Sequence, residues 1–154
     1  MSNVAVAFEI SEEGKAPYVG WTKSGGHLVF DFKMYFIRKA QWVKDGRKTS
    51  DPDYSTFTGV VSRDSVRIAL KYAALNNIQV MSADIENAYF HAPSSETQYI
   101  VCGPEFGLKN VGKYGLIRCA LYGGISSGDD FWKHLRSCMK HLWFQSCKPG
   151  REFW

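Results

Sequence analysis

Asp84 is the acidic residue of this sequence whose position most favours metal-dependent chemistry. It ends an apolar run that starts near Ile78, and the adjacent aromatic residues Tyr89 and Phe90 follow it. The run predicts a buried strand over Ile78–Asp84 with the carboxylate at its end. Carboxylates can bridge two divalent cations about 3.5 to 4 Å apart in nucleotidyl transfer. A lone aspartate at a strand end is also a common turn or cap residue, so spacing alone leaves both interpretations open.

Two other groups of potential metal ligands are better explained by a helix. Gly128-Asp129-Asp130 places two acids at the start of a predicted helix, where they complement its positive end, and no apolar strand precedes them. His134, Cys138 and His141 can share one face of that helix, with Cys147 nearby in sequence. Cys138 lies on the apolar stripe of this helix with Leu135 and Leu142, which favours a structural helix with a buried thiol over a zinc site.

The positive charge of the chain is concentrated in one segment. The formal net charge is +4, and residues 31–48 alone carry six basic and two acidic side chains. The basic residues of this segment are Lys33, Arg38, Lys39, Lys44, Arg47 and Lys48. Such a patch suits polyanions, namely nucleic acid or nucleotide phosphates, although a solvated hairpin face has the same composition.

The elements that carry these residues follow from patterning. Residues 1–26 are interpreted as a lead-in segment without a site, and residues 27–154 as one domain. Alternation over His27–Val43 predicts an exposed antiparallel ribbon. One face is expected to carry Phe36, Arg38, Ala40 and Trp42, and the other Tyr35, Ile37, Lys39 and Gln41. Asp45-Gly46 then signals a tight turn.

Helix and strand signals alternate in the rest of the chain. Helical spacing predicts a helix over Asp64–Leu75, ended by Asn76-Asn77, and a second helix over Ser127–Leu142. Further strands are expected at Gln98–Cys102 and Tyr114–Leu121. The fold class is therefore α+β, with helices packed on an antiparallel sheet.

Composition limits the class of protein. The 154 residues suit one domain, with 45% hydrophobic and 22% charged residues, and no apolar run reaches the roughly 18 to 20 residues of a membrane helix. The N-terminus lacks the basic start of a secretory signal, which indicates an intracellular protein, cytoplasmic or nuclear. The four cysteines contain no Cys-x-x-Cys pair, so reduced, mostly buried thiols are expected.

Five stretches in this order and spacing resemble the reverse transcriptase domain of copia-type LTR retrotransposons. The resemblance extends from about Gly20 to Phe144. The stretches are His27–Met34, Arg38–Val43, Gly59–Arg63 with Ser65–Ile68, Ala83–Tyr89 and Ala120–Gly123. The resemblance implies a partial right-hand polymerase, with a fingers ribbon followed by the first part of the palm.

The resemblance also implies roles for individual residues. Asp84 matches the first catalytic aspartate, a ligand of Mg²⁺, and the backbone carbonyl of Ile85 would complete part of the coordination. Tyr89 matches the ring that lies under the incoming sugar and selects deoxynucleotides. Arg38 and Lys39 match ribbon positions that contact triphosphate or template. The implied partners are an RNA or DNA template-primer and deoxynucleoside triphosphates, with no membrane.

One motif of that family does not occur in the sequence. No Tyr-x-Asp-Asp, which supplies the other catalytic carboxylates, is present. We therefore expect a truncated copy that carries half of the metal site and is inactive alone. The alternative is a non-enzymatic nucleic-acid-binding remnant that uses the basic ribbon, with Trp42 or Tyr35 as stacking surfaces.

Overall fold

The residues that the structure describes form a small α+β fold with a mixed sheet, a separate two-stranded ribbon and two helices. The computed structural model describes residues 7–12, 19–46 and 61–145, without the side chains of Lys33 and Tyr35. Its strands are β1 (Phe8–Ile10), β2 (Thr22–Lys23), β3 (Gly26–Lys33), β4 (Ile37–Lys44), β5 (Gln98–Val101) and β6 (Tyr114–Ile117). Its helices are α1 (Arg63–Leu75) and α2 (Ser127–His141). Short 3₁₀ turns lie at Met34–Phe36, Ala88–His91, Pro104–Phe106 and Leu108–Asn110.

The four-stranded sheet has the order β1-β6-β5-β2. β6 pairs antiparallel with both β1 and β5, whereas β2 runs parallel to β5. The prediction of an antiparallel sheet was therefore wrong at one edge, where the two-residue strand β2 lies parallel to β5. Strands β1 and β2 belong to the segment interpreted as a lead-in. That segment thus supplies both edge strands of the sheet.

An aromatic cluster joins this sheet to the ribbon. Phe8 on β1 packs edge-on against Trp42 on β4, with ring centroids 5.2 Å apart, and against Phe106 at 5.1 Å. Trp42 is only 4% exposed, and its indole lies across Gly26, where an added Cβ would come within 2.1 Å of the ring. Glycine at this position therefore lets the base of the ribbon close over the core.

The ribbon consists of β3 and β4 in antiparallel register, from Gly26 opposite Lys44 to Lys33 opposite Ile37. Its turn is the 3₁₀ segment Met34–Phe36, and Asp45-Gly46 follows β4. Residues 37–42 alternate between the two faces of β4 as predicted, whereas Tyr35 and Phe36, which the prediction placed on the same strand, lie in the turn. Only the end of the ribbon near Trp42 is buried.

Helix α1 ends at the predicted Leu75 and begins at Arg63, one residue before the predicted start. The Ser62 hydroxyl accepts a hydrogen bond from the Ser65 backbone N–H at 3.0 Å, and Asn77 adopts the left-handed backbone, φ 57°, that ends the helix. Ala73 is the buried residue of this helix. The helix is therefore exposed along most of its surface, rather than packed as predicted.

The segment Ile78–Asp84 does not form the predicted strand. It has no regular secondary structure, and each of its side chains is exposed. A strand requires a neighbour to pair its backbone groups, and no described residue supplies one. The apolar run therefore does not bury Asp84 at a strand end.

Candidate functional site

The turn at Tyr122-Gly123 connects the ribbon to the segment that follows Asp84. The Tyr122 side chain packs against Tyr89, with ring centroids 4.7 Å apart, and its backbone carbonyl accepts a 2.7 Å hydrogen bond from the Lys44 N–H at the end of β4. We call this contact region the Tyr122 junction. Two parts of the chain with predicted functional roles therefore meet at one residue.

The Asp84 side of the junction is a loop that turns into a short helix. Asp84 is exposed, and Asn87 adopts left-handed backbone, φ 52°, which directs the chain into Ala88–His91. Within that turn the Tyr89 ring is half-buried between Tyr122 and Phe131 of α2, the second contact being 6.0 Å. The ring at the predicted sugar-sensing position is thus fixed by two aromatic neighbours, while the carboxylate reaches solvent.

The ribbon side of the junction is held by a buried ion pair. The Lys44 ammonium contacts the Glu96 carboxylate, and the two side chains are 4% and 8% exposed. The Ser126 hydroxyl donates to the same carboxylate at 2.6 Å, and its backbone N–H donates at 3.3 Å. Burial alone would raise the pKa of Glu96, but the hydrogen bonds from Lys44 and Ser126 and the ammonium charge outweigh it and lower the pKa.

Glycines allow the backbones at the junction to approach each other. Gly123 has φ 83°, and a Cβ there would come within 2.1 Å of the Lys44 carbonyl oxygen. A Cβ on Gly46 would come within 2.4 Å of the Gly123 carbonyl oxygen. Beside this contact lies an open cavity of about 590 Å³, lined by His27, Lys44, Asp45, Gly46, Gly123 and Ile125. The contact between ribbon and turn thus depends on small residues at both positions.

The predicted cationic contacts are distributed along the ribbon. Arg38 and Lys39 are exposed and lie on opposite faces of β4. Lys39 is five residues from Lys44, or about 17 Å along an antiparallel strand. These two cations therefore lie towards the far end of the ribbon, away from the Tyr122 junction.

Two of the predicted nucleic-acid contacts, Lys44 and Trp42, have buried side chains. Lys44 is buried in its ion pair with Glu96, so its charge is not available to a polyanion. Trp42 belongs to the core and cannot serve as a stacking surface. Arg47 and Lys48 lie outside the described residues, as do the side chains of Lys33 and Tyr35.

Asp84, the predicted cation ligand, lies outside any cluster of metal-ligating side chains in the described part of the chain. Among the described residues, no three His, Cys, Asp or Glu side chains lie close enough to hold a metal ion. Mg²⁺ usually keeps several waters and binds through one or two carboxylates together with substrate phosphates. An exposed carboxylate next to the Ile85 backbone fits that pattern as a partial ligand set.

The other ligand-type groups belong to helix α2. Asp129 and Asp130 lie in its first turn, where Asp129 pairs with Lys133 at 2.7 Å and Asp130 accepts a hydrogen bond from the Ser95 N–H at 3.1 Å. The His134 Nε2 lies 3.6 Å from the Cys138 sulfur. The thiol of Cys138 is exposed and not buried as predicted.

Two exposed aromatic residues on β3 had no predicted role. Phe30 and Phe32 are 74% and 67% exposed and lie opposite Ala40 and Arg38. The signal was present, since phenylalanines at i and i+2 on a strand must share a face. They share it with Trp42, but the core reaches only the base of the ribbon.

Comparison of the chain with protein-family models, with curated proteins and with solved structures found no match. Within the part of the chain that the structure describes, no helix is both long and apolar enough to cross a membrane.

Proposed function

We propose that this chain carries the fingers ribbon and the first palm segment of a copia-type reverse transcriptase, and that it binds a template-primer and an incoming deoxynucleotide. The observation that carries the proposal is the Tyr122 junction. It joins the base of a ribbon bearing exposed cations to the loop that follows an exposed aspartate. A template-directed polymerase requires these two functions, template contact and nucleotide placement, to be held in fixed relation.

Each residue has a defined task in this proposal. Asp84, with the Ile85 carbonyl, would hold Mg²⁺, which activates the primer hydroxyl and neutralises charge on the triphosphate when bound. The Tyr89 ring, fixed by Tyr122, would exclude a ribose 2′-hydroxyl. Arg38 and Lys39 would contact phosphates through charge-assisted hydrogen bonds. Because the described residues supply no complete metal cluster, we expect no primer extension by this chain alone.

The nucleotide part of the proposal is tested by the stability of a ternary complex. The dissociation rate of a labelled template-primer is measured with Mg²⁺, in the presence and absence of the next complementary deoxynucleotide. The correct deoxynucleotide should slow dissociation, the matching ribonucleotide should do so less, and Asp84→Asn should abolish the effect. Asp64→Asn is the matched control, because Asp64 is an exposed aspartate on α1. Nucleotide dependence that survives Asp84→Asn would disprove the assignment.

The template part is tested by salt-dependent binding. Replacing Arg38 and Lys39 with alanine should reduce the slope of log K against log salt by roughly 1.4 to 1.8, if each contacts one phosphate. The control variant replaces Arg67 and Lys71, an exposed arginine and lysine on α1, and removes the same charge. Equal losses in the two variants would indicate a non-specific effect of net charge.

The second candidate is a non-enzymatic nucleic-acid-binding module. The exposed aromatic and basic side chains of the ribbon favour it, because such surfaces bind single strands without catalysis. It predicts the same loss with the Arg38 and Lys39 variant, but no effect of deoxynucleotide or of Asp84→Asn.

A further inference from the structure

The ribbon carries a surface with the chemistry of a single-strand binding platform. We define the Phe face as the side of the ribbon that bears Leu28, Phe30 and Phe32 on β3. We propose that this face binds single-stranded nucleic acid by stacking bases on Phe30 and Phe32, with Arg38 holding the adjacent phosphate. The inference deepens the proposed function and rests on it for the choice of nucleic acid as ligand.

Phe30 and Phe32 are exposed although they continue a row of side chains that is buried at its base. Leu28 and Trp42 lie on the same face and pack into the core, whereas Phe30 and Phe32 continue the row outward and remain exposed. An exposed phenylalanine forfeits most of the free energy that burial would supply. Two of them in succession on one face form a patch that is typical of a binding surface.

The distance between Phe30 and Phe32 along β3 suits two separately stacked bases. Residues i and i+2 of an antiparallel strand are about 6.8 Å apart on one face. That distance is about twice a base-stacking step, so each ring has room for a base of its own. Every base presents a π-face to such a ring, and stacking is therefore tolerant of sequence.

The two sides of the ribbon differ in charge. Arg38 lies directly opposite Phe32, and the Phe face carries no acidic residue on either strand. On the other side, Lys39 lies opposite Asp31, which offsets its charge. The cation next to the aromatic pair is thus the less neutralised of the two, and guanidinium suits both phosphate and stacked bases.

The test separates stacking from charge by comparing two ligands. One is a short fluorescein-labelled oligothymidylate, and the other is an abasic strand of the same length with the same phosphates. RNA and DNA forms of the base-bearing strand are compared in parallel. The full chain should bind the base-bearing strand more tightly than the abasic strand, and anisotropy titrations at several salt concentrations measure the difference.

The variants then assign the two contributions. Phe30→Ala and Phe32→Ala should each weaken binding of the base-bearing strand by roughly 5- to 150-fold, the effect of losing one stacked base, and leave abasic binding unchanged. Phe32→Tyr should retain binding. Arg38→Ala should lower the salt slope by roughly 0.7, more than Lys39→Ala, without removing the preference for bases. Tyr72→Ala is the matched control, an exposed aromatic on α1.

Several outcomes would overturn the inference. Equal affinity for base-bearing and abasic strands would show that no stacking occurs, while the charge-dependent part of the proposed function stands. Unchanged nucleic-acid binding by the phenylalanine variants, together with a shift in their sedimentation, would assign the Phe face to self-association. Failure of the wild-type chain to bind any strand would remove both the inference and the proposed function. Unchanged circular dichroism verifies that each variant is folded.

Discussion

Glu96→Gln should be one of the most destabilising single changes at the Tyr122 junction. The substitution keeps the side-chain shape but removes the negative charge that Glu96 presents to the Lys44 ammonium, whose side chain is 4% exposed. It also weakens the acceptor for the two hydrogen bonds from Ser126. Removing one partner of a buried ion pair costs about 3–5 kcal/mol. That is a large part of the about 5–15 kcal/mol that stabilises a typical domain.

Urea unfolding followed by far-ultraviolet circular dichroism measures this cost. With a slope of roughly 2 kcal/mol per molar urea, the midpoint should fall by roughly 1.5–2.5 M. Glu9→Gln is the matched control, because Glu9 pairs with Arg118 at 2.7 Å on the surface, with side chains 58% and 44% exposed. Such pairs contribute at most about 1 kcal/mol. If both variants shift the midpoint equally, the reasoning from burial is refuted.

Three further predictions concern the same region and the thiols. Because folding lowers the pKa of Glu96, the stability that its carboxylate contributes should be complete above about pH 4.3 and be lost as the pH falls through the folded pKa. The Glu96→Gln variant should lack this part of the pH dependence of unfolding. Gly123→Ala should lower the free energy of unfolding by more than the about 1–2 kcal/mol that left-handed backbone costs a non-glycine residue, because the added Cβ would clash with the Lys44 carbonyl. Gly107→Ala is the control, since Gly107 also has positive φ but its Cβ would lie in open space. The difference between the two variants in thermal unfolding measures the excess. Iodoacetamide at neutral pH should modify Cys138 well before Cys102, since burial raises the pKa of Cys102, and peptide mass spectrometry of the native chain gives the order.

Elements defined by neighbours in sequence were predictable. The ends of α1 follow from Ser62 and from Asn76-Asn77, whose backbone and side chain act within a few residues. The start of α2 at Ser127 follows in the same way from acids in the first turn. The face assignment of β4 required only alternation. In each case the determining interactions are local.

Features decided by distant partners were not predictable. The run Ile78–Asp84 has the composition of a strand, but composition cannot supply the neighbouring strand that would satisfy its backbone. Lys44 was interpreted as a free cation because nothing near it in sequence indicates Glu96, 52 residues away. Trp42 was interpreted as exposed because the residues that bury it, Phe8 and Phe106, are equally remote.

The candidate site lies in this second category, and its geometry makes two positions interdependent. The Tyr122 carbonyl is held by the Lys44 N–H, while the Tyr122 ring packs against Tyr89. The two backbones are in close contact at Gly46 and Gly123. We therefore expect a shift of the ribbon base to move the turn that supports the Tyr89 ring. If the proposed function holds, loss of the Glu96 ion pair should weaken discrimination against ribonucleotides as well as stability. The ternary-complex assay on Glu96→Gln, at a temperature where the variant is folded, measures that coupling, and unchanged discrimination would show that the ribbon and the ring are independent.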